Sequence, residues 1–436
     1  MPEADVKRTI DAVWRIESAR LTAGIARIVR DVGVAEELVN DALLAALEQW
    51  PSTGIPDKPA AWLMATAKHR AIDRVRRAQR LDTKRASFED GVDAAHEASA
   101  GEVDTSLDED ISDDMLRLVF VACHPVLSLD ARVALTLRLV GGLTTEEIAR
   151  AFLVPEATIA QRIVRAKRTL SEARVPFEAP RGAELETRLP AVLEVIYLIF
   201  NEGYSATGGD DWVRPELCND ALRLGRIVAE LVPHVSESHG LVALMEVQAS
   251  RLRARVGSSG EPVLLLDQDR SRWDRLLVRR GLAALDRAGR LGGALGPYAL
   301  QAAIAACHAR ARTAADTDWS RIVALYDALA QLAPSPIVDL NRAVAIGMAF
   351  GAQAGLTIVD SLAGERTLAT YYLLPSVRGH LLAELGRFSG ARAEYARAAS
   401  LTRNARERDL LLKRAAACAR KSAEAETPHS MSRDAG

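Results

Sequence analysis

Two sets of residues in this 436-residue chain have the types and spacing to hold a polyanion. Between Lys68 and Arg85 eight cations (Lys68, Arg70, Arg74, Arg76, Arg77, Arg80, Lys84 and Arg85) stand against Asp73 and Asp82. Further on, Thr158, Gln161, Arg162, Arg165, Lys167 and Arg168 crowd one short segment. Guanidinium and amide groups hydrogen-bond phosphates and base edges, so the chemistry on offer is non-covalent recognition of nucleic acid. A basic helical stretch is commonly no more than a solvated face, and the neighbouring elements must carry the distinction. Bond-making chemistry has no visible seat: there is no Walker loop, no G-x-S-x-G and no H-E-x-x-H. His96-Glu97 lacks a second histidine, Asp267, Asp269 and Asp274 are too loosely spaced for a calcium loop, and the four cysteines lie far apart. No catalytic residue, metal ligand or cofactor is expected.

The first basic set rides on a helix expected over 58–77, opened by Pro59 in its first turn and burying Trp62, Leu63, Ala67, Ile72 and Val75. Before it, across a loop holding Pro51, Gly54 and Pro56, residues 34–50 read as an amphipathic helix. Leu38, Leu44 and Leu47 form its apolar face, with Glu36, Glu37, Asp41 and Glu48 largely outside it. Residues 5–30, with Ile10, Val13, Trp14, Ile16, Leu21, Ile25 and Ile28, supply helical surface to cover that face. The second set follows two apolar helical segments over 114–140 that break at His124-Pro125, with Asp130 as the expected cap and Gly141-Gly142 as the stop. Thr144 or Thr145 then caps a short helix, Val154-Pro155 makes a turn, and a second helix starts at Glu156. Ile148, Ala149, Phe152, Ile159, Ile163 and Leu170 face inward, which makes this a helix-turn-helix.

The net charge of −2 averages these basic sets with an acidic tract. From Ser87 to Asp114 there are eleven carboxylates and no Lys or Arg, and so dense a block of like charge reads as a flexible linker. A hydrophobic fraction of 49% argues against disorder overall. With no signal-peptide core and no run of membrane-spanning length, a reducing cytoplasm is the expected location.

An acidic amphipathic helix, a Pro/Gly loop and a Trp-bearing helix that turns basic, in that order, resemble conserved region 2 of bacterial RNA polymerase sigma factors, in particular the extracytoplasmic-function (ECF) class. The resemblance implies that Glu36, Glu37, Asp41, Leu44 and Glu48 meet the polymerase clamp coiled coil. It implies that the 51–59 loop captures a flipped base of the −10 element, and that Trp62, Lys68, Arg70, Arg74, Arg76 and Arg77 receive the promoter duplex beside it. The helix-turn-helix is similar to region 4, which implies contact with the polymerase flap and a −35 element read or clamped by Thr158, Gln161, Arg162, Arg165, Lys167 and Arg168. One departure is Ala160, where the family commonly has a basic residue; an unusual −35 sequence is expected.

Beyond Pro176 the pattern remains helical. Leu189 to Tyr204 is strongly apolar, and its Glu194, Asn201 and Glu202 read as buried or capping groups. An offset of 39 residues sets Ala343 on Leu382, Gly347 on Gly386 and Ala352 on Ala391, resembling tetratricopeptide (TPR) helix pairs. The expected architecture is all-α: a region 2 domain (1–85), an acidic linker (86–112), a region 4 domain (113–176), a TPR-like helical extension (177–420) and a disordered tail (421–436). ECF sigma factors with such an extension form a subgroup, and membership implies that the extension modulates activity, alone or by receiving a regulatory protein. The competing reading is a helix-turn-helix regulator with a helical sensor domain, which leaves the 34–77 helix pair without a use.

Overall fold

The computed structural model describes residues 3–90, 107–152, 154–205, 212–258, 260–293 and 295–426. Among them there is no β-strand, only an isolated bridge between Val256 and Pro262. Contacts divide the chain into two compact units, 1–196 and 197–436, and the division falls within one helix.

The first unit opens with α1 (Glu3–Val29), α2 (Val32–Thr53) and α3 (Pro59–Asp90). Asp31 starts α2, its carboxylate accepting from the Val34 amide at 3.0 Å. Gly54 ends it at φ 86°, a conformation that favours glycine. Ile25, Ala35, Val39, Ala42, Trp50, Leu63 and Ala67 are buried among these three helices. Leu44 and Leu47 are not: they lie outside the packed face, where Ala35, Ala42, Ala45 and Ala46 join Leu38 and Val39. Ile16 also faces out, and Trp62, Ile72 and Val75 are half-buried. α3 continues to Asp90 and α4 (Leu107–Ala122) begins within the expected linker, so 86–112 is helical at both ends. Its middle, 91–106, lies outside the described residues.

α5 (Leu129–Leu139) follows the break at His124-Pro125, and its cap is Ser128 rather than Asp130. Asp130 sits two residues past the cap position, in the first turn, where a carboxylate suits the helix dipole. α6 (Thr145–Phe152) and α7 (Glu156–Glu172) form the helix-turn-helix. A reciprocal capping box sets its entry: Thr144 Oγ1 accepts from the Glu147 amide at 3.1 Å, and Glu147 Oε2 accepts from the Thr144 amide at 2.8 Å. The first part of α8 (Ala183–Tyr204) belongs to this unit, where Arg188 donates to the Phe120 carbonyl at 3.0 Å and lies over that ring. The extension read from residue 177 thus lends a helix to the unit before it.

The second unit continues from the end of α8 through α9 (Pro215–Leu231), α10 (Ser236–Ala249), α11 (Arg275–Arg290), α12 (Pro297–Arg310), α13 (Trp319–Leu332), α14 (Pro336–Phe350), α15 (Ala352–Ser361), α16 (Leu373–Glu384), α17 (Phe388–Leu401) and α18 (Ala405–Glu426). α12 packs chiefly on α10, and from α13 onward each helix packs chiefly on its neighbours in sequence. The pairs α14–α15 and α16–α17 cross where small residues allow: Gly355 meets the Ala343 backbone, and Gly379 meets that of Ala391. These crossings repeat after 36 residues, not the 39 that side-chain matching picked out, because that match slid the helices by most of a turn. α18 carries the first residues of the expected tail, and 427–436 lies outside the described residues.

His308 on α12 is buried against Trp319, with ring centroids 5.2 Å apart. Burial, reinforced by Arg251 and Arg270, pushes its pKa down to about 4. The folded chain therefore refuses a proton that the unfolded chain binds near pH 6.5. Its neutral form contributes full stability above pH 6.5, and that contribution is lost as pH falls from 6.5 towards 4. The expected loss is about 3 kcal/mol, and unfolding titrations of His308→Gln beside the parent should lack this component of the acid slope.

Candidate nucleic-acid interface

α2 and α3 lie side by side, and Trp50 and Trp62 meet edge to face at 5.5 Å near the loop that joins them. Trp50 is buried while Trp62 keeps part of its ring at the surface. Leu44 (56% exposed) and Leu47 stand in water next to exposed Glu37, Asp41 and Glu48. An apolar strip rimmed by carboxylates has the composition of a docking face rather than of a solvated helix. Along α3, Arg74, Arg76 and Arg77 are exposed, with Lys68 and Arg70 half-buried. Arg70 pairs with Asp41 and Arg74 with Glu37, each at 3.6 Å. Such surface pairs are worth about 1 kcal/mol or less, so either partner can be exchanged for a stronger one.

On α7 the inward set is Ile159, Ile163, Ala166 and Leu170. Ala160, Gln161, Val164, Arg165 and Arg168 share the exposed face, with Thr158 and Arg162 half-buried beside it. Val164, 64% exposed, was not anticipated from the sequence, where its type suggests core. Placed between Gln161 and Arg165, it offers a methyl surface of the kind that contacts thymine in the major groove. Arg162 is held by Asp130 at 3.1 Å and Arg168 by Glu172 at 2.6 Å, while Arg165 has no carboxylate within ion-pairing distance among the described residues.

The two basic surfaces belong to one packed unit, and one acidic residue joins them. Glu36 is only 6% exposed; Arg138 Nε donates to its Oε1 at 2.5 Å, and Lys167 of α7 pairs with Oε2. Expected on the outer face of α2, Glu36 instead points into the junction with α5 and α7 because two cations meet it there. Lys167, expected at DNA, is turned away from the face that carries Gln161 and Arg165. Arg138 was missed, although a cation set in the apolar second half of α5 was a usable signal. A second bridge, Arg27 to buried Asp114 at 3.3 Å, joins α1 to α4, and Arg117 holds the same carboxylate at 2.6 Å. Among the described residues no cluster of His, Cys, Asp and Glu has the arrangement of a metal site, and no helix is long and apolar enough to cross a membrane. The described cysteines are free and buried, and burial pushes the Cys123 thiol up to about 11 and that of Cys218 to about 12.

Residues 17–81 match the Sigma-70 region 2 family, residues 117–170 match Sigma-70 region 4, and residues 188–289 match a family of unknown function (DUF6596). An uncharacterized protein of Rhizobium meliloti is 44% identical over 393 residues, covering 87% of this chain and 89% of the relative. The ECF RNA polymerase sigma factor SigK of Mycobacterium ulcerans is 32% identical over 34% of this chain and 75% of its own length. The probable ECF RNA polymerase sigma factor SigI of Mycobacterium tuberculosis is 30% identical over 38% of this chain, which spans 56% of that relative. No solved structure gives a significant match. With both sigma regions matched in order and relatives of the same class, the chain belongs to the ECF sigma factors of RNA polymerase and carries a long helical C-terminal extension.

Proposed function

We propose that the protein directs core polymerase to two-element promoters, with the exposed strip of α2 docking on the polymerase, α3 and the loop before it at the −10 element, and α7 at the −35 element. The observation that carries this reading is the exposure of Leu44 and Leu47 among carboxylates, an apolar surface that a region 2 helix needs and a plain DNA-binding regulator does not. Leu44→Asp places a charge at the centre of that strip. It is expected to weaken core binding by about 2 kcal/mol or more, at least about 30-fold, while leaving the thermal midpoint unchanged. Run-off transcription and equilibrium binding to purified core check this; full activity in the variant would remove α2 from the interface.

The extension from residue 197 to about 420 modulates that activity, by receiving a regulatory protein or by acting on the first unit. Its support is the succession of helix pairs from α12 to α18, an architecture that presents extended surfaces. A truncation after Tyr204 keeps α8 whole, and with it the Arg188–Phe120 contact. Run-off transcription from the full and truncated chains gives the sign of the effect, and equal yield from both would remove the extension from control.

A further inference from the structure

The second unit contains a ladder of alternating rings and guanidinium groups: Trp212, Arg255, Tyr204, Arg251, Trp273 and Arg270. Arg255 Cζ lies 3.8 Å from the centroid of Tyr204 and 4.2 Å from that of Trp212. Arg251 sits near both Tyr204 and Trp273 at 5.8 and 5.7 Å, and Arg270 stands 5.0 Å from the centroid of Trp273. The whole ladder lies inside the 188–289 segment matched by the family of unknown function.

Three cations have been gathered here without a matching set of anions among the described residues. Arg251 is 8% exposed, and its Nε and that of Arg255 are buried with no hydrogen-bond partner among the described residues. No carboxylate of the described residues comes within ion-pairing distance of Arg251, Arg255 or Arg270. Arg270 spends its donors on the His308 and Ala311 carbonyls and on Thr317, and Arg255 gives one to the Tyr204 carbonyl. Glu407, the carboxylate that reaches Trp212, is already taken by the Trp212 indole, the Tyr372 hydroxyl and Thr402. Burial, reinforced by the nearby charge of Arg251, holds Arg255 and Arg270 below the ordinary arginine range. Ring faces return only part of what it costs to strip water from a guanidinium, so a purely structural ladder would leave a buried charge uncompensated.

We propose that Arg251 and Arg255 form a binding site for a small oxyanion, a carboxylate or phosphate group on a metabolite, entered from the half-buried side of Tyr204 and Trp212. Two free Nε–H groups and the forked nitrogens beside them suit an acceptor with two or three oxygens. Tyr204 and Trp273 each already have two guanidinium groups against them, so recognition rests on the anionic group rather than on stacking of the ligand. The inference does not depend on the promoter reading, because the site lies wholly in the second unit.

The test uses the full chain and two probes, inorganic phosphate and malonate, each titrated against sodium chloride at matched ionic strength. One probe or the other is expected to raise the thermal midpoint saturably, by about 5 °C or more at a hundredfold excess over Kd. Arg251→Met is expected to fold, to match or exceed the unliganded parent in midpoint, and to lose the shift. Arg251→Lys, which keeps the charge without the fork, should retain a weakened one. A parent that does not respond, together with an Arg251→Met protein of lower midpoint, would make the ladder structural and overturn the proposal. An equal shift in parent and Arg251→Met would place the anion at another basic surface and overturn it as well.

Discussion

Glu36→Ala is expected to loosen the first unit by about 3 kcal/mol, the lower end of what removal of one partner from a buried ion pair costs. The lower end applies because Arg138 and Lys167 each keep about a fifth of their side chains in contact with water (21% and 22%), and the solvent recovers part of the loss. What remains is a junction in which two cations face each other across a vacated carboxylate site. Denaturant unfolding of the full chain should show the lower midpoint, and hydrogen exchange should rise in α2, α5 and α7 while the second unit keeps its protection. A Glu36→Gln/Lys167→Met cycle would isolate the pair, whose coupling should exceed that of Glu37 with Arg74 severalfold. The contact also bears on function, because it ties a residue of the proposed polymerase-docking helix to a cation of the proposed DNA-reading helix. Releasing Lys167 should steepen the salt dependence of DNA binding by about one charge. An unchanged slope together with unchanged exchange would mean that α2 and α7 are already apart in solution.

Arg165→Ala is expected to cost about 1–3 kcal/mol in promoter binding, and to relax selectivity at one −35 base pair if its guanidinium forks onto a guanine. It is the cation of α7 best placed for that role: exposed, beside Gln161 and Val164, and with no carboxylate partner among the described residues to give up. Arg168→Ala should behave differently, because its guanidinium is held by Glu172 one turn along the helix and its natural use is a phosphate. Its loss should weaken all sequences alike. Equilibrium binding of polymerase holoenzyme to a set of single-base −35 variants separates the two outcomes, and a uniform loss for Arg165→Ala would reassign it to the backbone. Val164→Ser should reduce discrimination for thymine at a neighbouring position by removing the methyl contact. Ala160 adds no cation to this face, so Arg162 and Arg168 are expected to carry the phosphate contacts of the proposed interface.

The helix-turn-helix could be read from the chain because its signals are local. Thr144 and Glu147 are three residues apart, Pro155 sits at the turn, and Ile159, Ile163 and Leu170 keep a helical period. The α2–α3 pair was legible for the same reason, except that α2 runs on to Thr53 and takes Pro51 out of the expected loop, which begins at Gly54. Misreadings came where a correct period left a choice of partners. Leu44 and Leu47 are apolar at helical spacing, and either packing inward or waiting for another protein satisfies that pattern; the alanines of α2 took the inward face because small residues let α1 approach. Glu36 is five residues from Asp41 and chemically like Glu37, yet of the three it alone is buried.

The chain alone determined its helices, their caps and the basic faces of α3 and α7, since hydrogen bonds and apolar periods within a few residues decide these. Tertiary structure decided which charges remain available. The Glu36–Arg138 pair joins residues far apart along the chain, and the ladder around Arg251 draws its rings from segments that carry no shared period. Burial of an ionic group depends on what distant surfaces bring to it, and that is set only when the helices pack.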